Sequence, residues 1–154
     1  MKLSHIIIGA KAKEPLNYVS NVEAIKDMGL KGDRYYYKVG AFNKPQLDQK
    51  VRQISIFSYE NLEEINKRLD TNLDFLDLRR NLIIKGFDYE ILKDKEFSIG
   101  TAKFKLQRTC PPCKYLAKIL DVDIMNGLKY IGGYRAKITQ SGIINIDDEI
   151  LIQV

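Results

Sequence analysis

The apolar residues of this chain come in short runs of about four to eight, the length of a strand rather than of a helix, each stopped by glycine, proline or a cluster of charge. Lys2 to Ile8 reads as a first strand ended by Gly9, and Val22 to Ile25 alternates as a second before a turn marked by Gly29 and Gly32. Phe42 to Lys50, with Pro45, reads as a polar loop, and Val51 to Phe57 as a strand with Ile54 and Ile56 on one face. Further strands are expected at Asn81 to Lys85, Glu96 to Ile99, Ala102 to Leu106, Tyr134 to Thr139 and Glu149 to Val154. Gly100-Thr101 would close a hairpin, and Gly132-Gly133 would make a turn. One segment departs from this rhythm. Tyr59 to Leu69 sets Leu62, Ile65 and Leu69 at helical spacing, with Ser58 offered as N-cap. Its acidic Glu60, Glu63 and Glu64 precede basic Lys67 and Arg68, the order that a helix dipole favours. A second, short helix is expected over Cys113 to Leu120. The class that follows is mainly β with short helices, closed or sandwich-like.

The 154 residues suffice for one domain, 1–154, with a real core. Apolar residues at 45% and charged residues at 29% are a globular balance. No apolar run approaches the ~20 residues of a membrane span, and Ile6-Ile7-Ile8 is too short for a signal-peptide core. A cytoplasmic protein without a membrane partner is therefore expected. The net charge of +5 admits an anionic partner. Acidic residues are interspersed along most of the chain, which argues against a nucleic-acid-binding module. Basic residues recur beside turns, at Lys31, Arg34, Arg79, Arg80, Arg108 and Arg135, which suits a small anionic ligand.

Cys110 and Cys113 are the only thiols. A pair three residues apart is no disulfide framework; it points to metal binding, redox chemistry or a reactive thiol in a reducing compartment. In Arg108-Thr-Cys110-Pro-Pro-Cys113-Lys114, a helix beginning after Pro112 would place Cys113 in its first turn. Unpaired helix N–H groups and the cations Arg108 and Lys114 would then favour a thiolate. A thiolate attacks electrophiles, accepts sulfur or ligates a soft metal. The competing reading is a structural thiol packed in the core. A thioredoxin-like pair is disfavoured by its late position and the lack of a βαβ pattern. Zinc and serine-nucleophile sites lack ligands or a base, since the one histidine, His5, sits on an apolar strand. Gly29-Leu-Lys31-Gly-Asp-Arg34 offers backbone amides and cations to an anion, although it lacks Walker spacing and an ordinary basic turn is its rival. Arg79-Arg80-Asn81 is either a solvated charge pair or an anion-binding edge. Asp147-Asp148 reads as a turn before the last strand.

Taken in order, these segments resemble the MOSC domain, named for the C-terminal domain of molybdenum cofactor sulfurases. The resemblance runs from Gly29–Arg34 through the strand Arg52–Ile56, Arg80-Asn81-Leu82, the turn Phe97–Gly100 and Pro112-Cys113. It continues through Gly133–Ile138 and Ser141-Gly142-Ile143 to the strand at Asp148-Glu149-Ile150. It implies a β-barrel-like fold and one functional cysteine, Cys113, that carries sulfur or ligates molybdenum, with Cys110 a secondary candidate. It also implies that Lys31, Arg34, Arg80, Asn81, Arg108 and Arg135 hold molybdenum cofactor (molybdopterin). Tyr35 stands where many relatives carry histidine, and Asp147 replaces a common glycine. Larger relatives carry a pyridoxal-phosphate desulfurase domain and an N-terminal β-barrel domain that this sequence does not contain. A stand-alone module is therefore expected, its partners an electron-donating reductase or a cysteine desulfurase. The activity so implied is reduction of N-hydroxylated compounds or sulfur relay; the alternative is a non-catalytic cofactor or sulfur carrier.

Overall fold

Strands form where apolar side chains must be removed from water, and helices fill the gaps between them. The computed structural model describes residues 1–10, 15–34, 36, 53–110 and 131–153. Cys113, the helix expected from Cys113 to Leu120, Tyr35 and the polar loop Phe42–Lys50 lie outside the described residues. The strands are β1 (Lys2–Ile8), β2 (Asn17–Val19), β3 (Asn21–Ile25), β4 (Gly29–Leu30), β5 (Ile54–Ser58), β6 (Leu82–Lys85), β7 (Glu96–Ile99), β8 (Ala102–Thr109), β9 (Tyr134–Gln140), β10 (Gly142–Asn145) and β11 (Ile150–Ile152). The helices are α1 (Asn61–Leu69), α2 (Phe75–Leu78) and α3 (Tyr89–Leu92). The expected class, mainly β with short helices, is the one observed.

Eight strands form one mixed sheet in the order β11-β7-β8-β9-β5-β6-β1-β2, and β10-β3-β4 form a second. Among the described residues β5 and β6 are the parallel pair; the other ladders are antiparallel. A parallel pair needs a crossover connection, and α1 and α2 lie in it. The large sheet is not a closed ladder, yet β1, next to one end, meets the segment leading into β11 at the other. Ile6, Ile7 and Ile8 of β1 pair with β2. On the N-terminal half of β1, Lys2 bridges to Glu149. Leu3 N–H donates to Asp148 O at 2.8 Å, Asp147 N–H to Leu3 O at 2.6 Å and Ile150 N–H to Met1 O at 3.0 Å. This contact gives the open sheet its barrel-like form.

The central strands bury both faces, which explains the continuous apolar runs Ile6-Ile7-Ile8 and Leu82-Ile83-Ile84, whereas β5 sets Ser55 between Ile54 and Ile56. Leu3, Ile6, Ile54, Ile56, Leu82 and Ile84 join the interior core. Ile7, Phe57 and Ile83, on the opposite face of the same strands, join a second core with Ile65, Phe75 and Leu78 of the helices. Each such side chain taken from water contributes about 1.5–3 kcal/mol.

Helix α1 presents the expected face: Ile65 is buried, with Leu62 and Leu69 packed against the second core. Its cap differs from the expectation. Ser58 ends β5, where its Oγ hydrogen-bonds to Glu60 Oε2 at 3.2 Å, and Glu60 occupies the N-cap position without a side-chain cap. The β5–β6 pairing extends to Ser58↔Ile84, so ladder formation claims Ser58 before the helix can.

At Gly133 the backbone takes φ +96°, and an added Cβ would lie 2.3 Å from Ile56 O. Gly133→Ala is expected to cost at least about 2 kcal/mol, from left-handed strain plus a clash with sheet backbone. Urea unfolding of the variant beside the parent measures it; a change under about 0.5 kcal/mol would refute this account.

Candidate functional site

Across the middle of the large sheet, ladder register places polar residues side by side. Ser55 of β5 faces Arg135 of β9, and Arg135 faces Arg108 of β8 beyond an irregularity in that ladder. On the other side of β5, Asn81 precedes β6 and bonds to Ser55. Asn81 Oδ1 accepts from Ser55 N–H at 3.0 Å and from Ser55 Oγ at 3.2 Å, and Asn81 N–H donates to Ser55 Oγ at 3.0 Å. Its Nδ2 donates to Ile7 O at 3.1 Å, while Ile7 N–H donates to Asn81 O at 2.7 Å. Asn81 and Ser55 are buried, as is Arg135.

Arg80 follows α2, whose first turn is closed by a capping box between Asp74 and Asp77. It is 5% exposed. Its Nε donates to Gly132 O at 2.9 Å, Nη1 to Leu78 O at 3.2 Å and Nη2 to Cys110 O at 3.3 Å. No carboxylate pairs with it among the described residues. Arg34 behaves differently. Its Nη1 lies 3.0 Å from Asp33 Oδ1 and its Nη2 donates to Arg79 O at 3.2 Å, and both members of that ion pair are buried. Asp33 Oδ1 also accepts from Gly9 N–H at 3.1 Å, and Arg34 N–H donates to Gly9 O at 2.6 Å. The Gly29–Arg34 turn is thus anchored inside the protein.

The structure gathers Arg80 and Asn81 at the start of β6, Arg135 one strand beyond Ser55, and Cys110 against the Arg80 guanidinium. Lys31 stands apart on the surface, with Nζ 4.0 Å from Glu23. Arg108 is exposed and lines a cavity of about 70 Å³ with Lys93, Gln107 and Thr109. A neighbouring cavity of about 210 Å³ is lined by Ser58, Asn61, Phe87 and Gly133. Tyr89 and Tyr134 line both, their rings stacked at 4.7 Å. Burial, then the neighbouring Tyr89 and Glu90, hold the Tyr134 phenol above its ordinary value.

Cys110 is 2% exposed, with its N–H donating to Gly133 O at 2.8 Å, the setting of a packed thiol. Among the described residues, no cluster of three or more His, Cys, Asp or Glu could hold a metal ion. No described helix is long and apolar enough to cross a membrane. Asp147-Asp148 forms the expected turn: Asp147 has φ 72° and Asp148 Oδ2 accepts from Asn145 N–H. His5 sits among Tyr18, Tyr59 and Phe75, with Ser4 Oγ 2.9 Å from its Nδ1. Sequence reasoning singled out neither Asp33 nor Ser55. The signal for Asp33 was its place between Gly32 and Arg34, where a buried cation needs a counter-charge; Ser55, inside an apolar strand, gave none.

The MOSC domain family model matches residues 43–151. The fold is similar to the YUAD protein from Bacillus subtilis, with TM-score 0.81, 20% identity and coverage of 98% of this chain and 94% of that one. It is also similar to YiiM from Geobacillus stearothermophilus, with TM-score 0.71, 14% identity and coverage of 99% and 75%. YiiM from Escherichia coli gives TM-score 0.69, 16% identity and coverage of 100% and 70%. In sequence, 100 residues are 35% identical to an adenylosuccinate synthetase from Wolbachia sp. subsp. Brugia malayi, covering 62% of this chain and 22% of that protein. A second adenylosuccinate synthetase, from Wolbachia sp. subsp. Drosophila simulans, is 40% identical over 65 residues, covering 39% of this chain and 14% of its own length. The matched stretch spans under a quarter of either synthetase.

Two outcomes follow from this geometry. Asn81→Ala leaves Ser55 N–H and Ile7 O without their side-chain partner in a dry sheet, at a cost of about 2–4 kcal/mol in a denaturant titration; a near-neutral result would deny Asn81 its linking role. Burial, then Lys85, push the His5 imidazole below its usual 6.5. The unfolded chain therefore binds this proton more readily, and stability present above about pH 6.5 falls as pH drops through the folded value. Thermal melts between about pH 7.5 and 5.5 should show that decline in the parent and a flatter profile in His5→Gln. Parallel profiles would remove His5 as its source.

Proposed function

The chain belongs to the MOSC domain family, and from that premise we propose that it binds molybdenum cofactor, with the Cys113 thiolate ligating the metal or carrying its sulfur. The observation that supports this reading is Arg80. A buried guanidinium without a counter-charge is costly, and Arg80 has no carboxylate partner among the described residues. Among the described residues its partners are three backbone carbonyls, fewer than the five N–H donors of a guanidinium. An anionic group such as a pterin phosphate or dithiolene fits that donor set. When bound, the cofactor supplies a metal that changes oxidation state and a soft site for sulfur.

The chain's own part is to hold and orient that group. Arg80 and Arg135 supply charge from buried positions, and Asn81, committed to Ser55 and Ile7, sets the strand ends from which they reach. Arg34 contributes through the turn that its pair with Asp33 holds in place. Lys31 and Arg108, at the surface, meet the anion on approach. Cys113 stands three residues beyond Cys110, whose carbonyl Arg80 binds. The activity is reduction of N-hydroxylated compounds or sulfur relay in the cytoplasm. A separate reductase supplies the electrons in the first case, a cysteine desulfurase the sulfur in the second.

Molybdenum and pterin content of protein purified from a cofactor-producing host tests this, parent beside Cys113→Ala. Both should approach one per chain in the parent and fall at least about tenfold in the variant. Their absence from the parent would sink stable cofactor binding.

A further inference from the structure

The backbone leaves β8 after Thr109 and rejoins β9 at Tyr134, and these two points are held close together. Cys110 N–H donates to Gly133 O at 2.8 Å. Arg80, arriving from the α2–β6 junction, then binds both shoulders of this neck: Cys110 O through Nη2 and Gly132 O through Nε. Its remaining terminal nitrogen, Nη1, bonds to Leu78 O and ties the fork to its own turn. The guanidinium is thus the described side chain that grips the neck from outside the β8–β9 pair.

We propose that Arg80 is a positioning residue: by fixing the carbonyls of Cys110 and Gly132, it sets the two anchor points of the segment that carries Cys113. The proposal rests on the reading of Cys113 as the working thiol. A planar guanidinium suits this task because its donors leave in fixed, coplanar directions, whereas an ammonium is a single point charge. A neutral amide would serve a carbonyl at lower desolvation cost. Retaining the charge makes physical sense where the same group that steadies the neck also faces an incoming anion. Arg80 thereby joins the two anchor points of the thiol-bearing segment to the charge of the site.

The test uses the full chain without cofactor and compares Arg80→Lys with the parent. The first readout is hydrogen exchange at the Cys110 amide, against the Lys105 and Lys137 amides in the body of the β8–β9 pair. The second is the rate of Cys113 alkylation by iodoacetamide as a function of pH. Phe97→Leu, a core change away from the neck, controls for general loosening. In Arg80→Lys, exchange at Cys110 should rise at least about tenfold while Lys105 and Lys137 hold, and the alkylation profile of Cys113 should depart from that of both the parent and Phe97→Leu. A parental Cys110 exchange rate and a parental alkylation profile would overturn the proposal, even if molybdenum binding were lost, because Arg80 would then act on the anion alone. So would exchange rising equally at all three amides, which would make Arg80 a general stabiliser. Neither rate requires molybdenum, so parent protein that purifies without it would refute the cofactor reading and leave this result to stand by itself.

Discussion

One buried amide, that of Asn81, joins three strands at the end of the sheet where the basic residues gather. Its side chain holds Ser55 on β5 and Ile7 on β1, and its backbone exchanges bonds with the same two residues. Such a node is worth more than its bonds counted singly, because each polar group it satisfies would otherwise be stranded in a dry interior. It also fixes register. Slipping β6 by one residue against β5 would carry Leu82 and Ile84 out of the interior core and turn Ile83 into it. The parallel β5–β6 pair, closed only after a crossover through two helices, depends on that registration.

Everything charged nearby is arranged around this frame. Arg80 immediately precedes the node in sequence, and Arg135 stands opposite Ser55. Asp33 and Arg34 form a buried pair whose carboxylate also receives Gly9 N–H, so the first turn of the chain and the glycine-rich turn are locked to each other. Buried ion pairs contribute little net stability, since desolvation offsets attraction. The value of this pair is geometric: it fixes the glycine-rich turn against Gly9 at the end of β1.

Patterns of burial were legible: the apolar residues of β1, β5 and β6 and the alternation of the β7–β8 hairpin follow from their sequences. β2, β4 and β10 were not. Asn17-Tyr18-Val19 and Gly29-Leu30 have too few residues for a period, and they become strands only because a partner edge is present. Helices α2 and α3 have four residues each, and Asp74 and Asp88, which cap them, carried their only local signal. The site shows the same division. Arg34, Arg80, Asn81 and Arg135 could be picked out by residue type and by family resemblance, whereas their burial could not. A basic turn in water and a guanidinium bound to three carbonyls share the same letters; the difference lies in residues up to 52 positions away.

The meeting of β1 with residues 147–150 sets an order of events on the chain. Leu3 and Asp148 lie 145 residues apart, yet each supplies the other's backbone partner. Contacts of such sequence separation carry the largest loop-closure entropy and slow folding accordingly. During synthesis, β1 waits with its N-terminal edge unsatisfied until residues 147–150 have emerged. The apolar Ile6-Ile7-Ile8 stretch beside that edge is therefore open to mispairing until then.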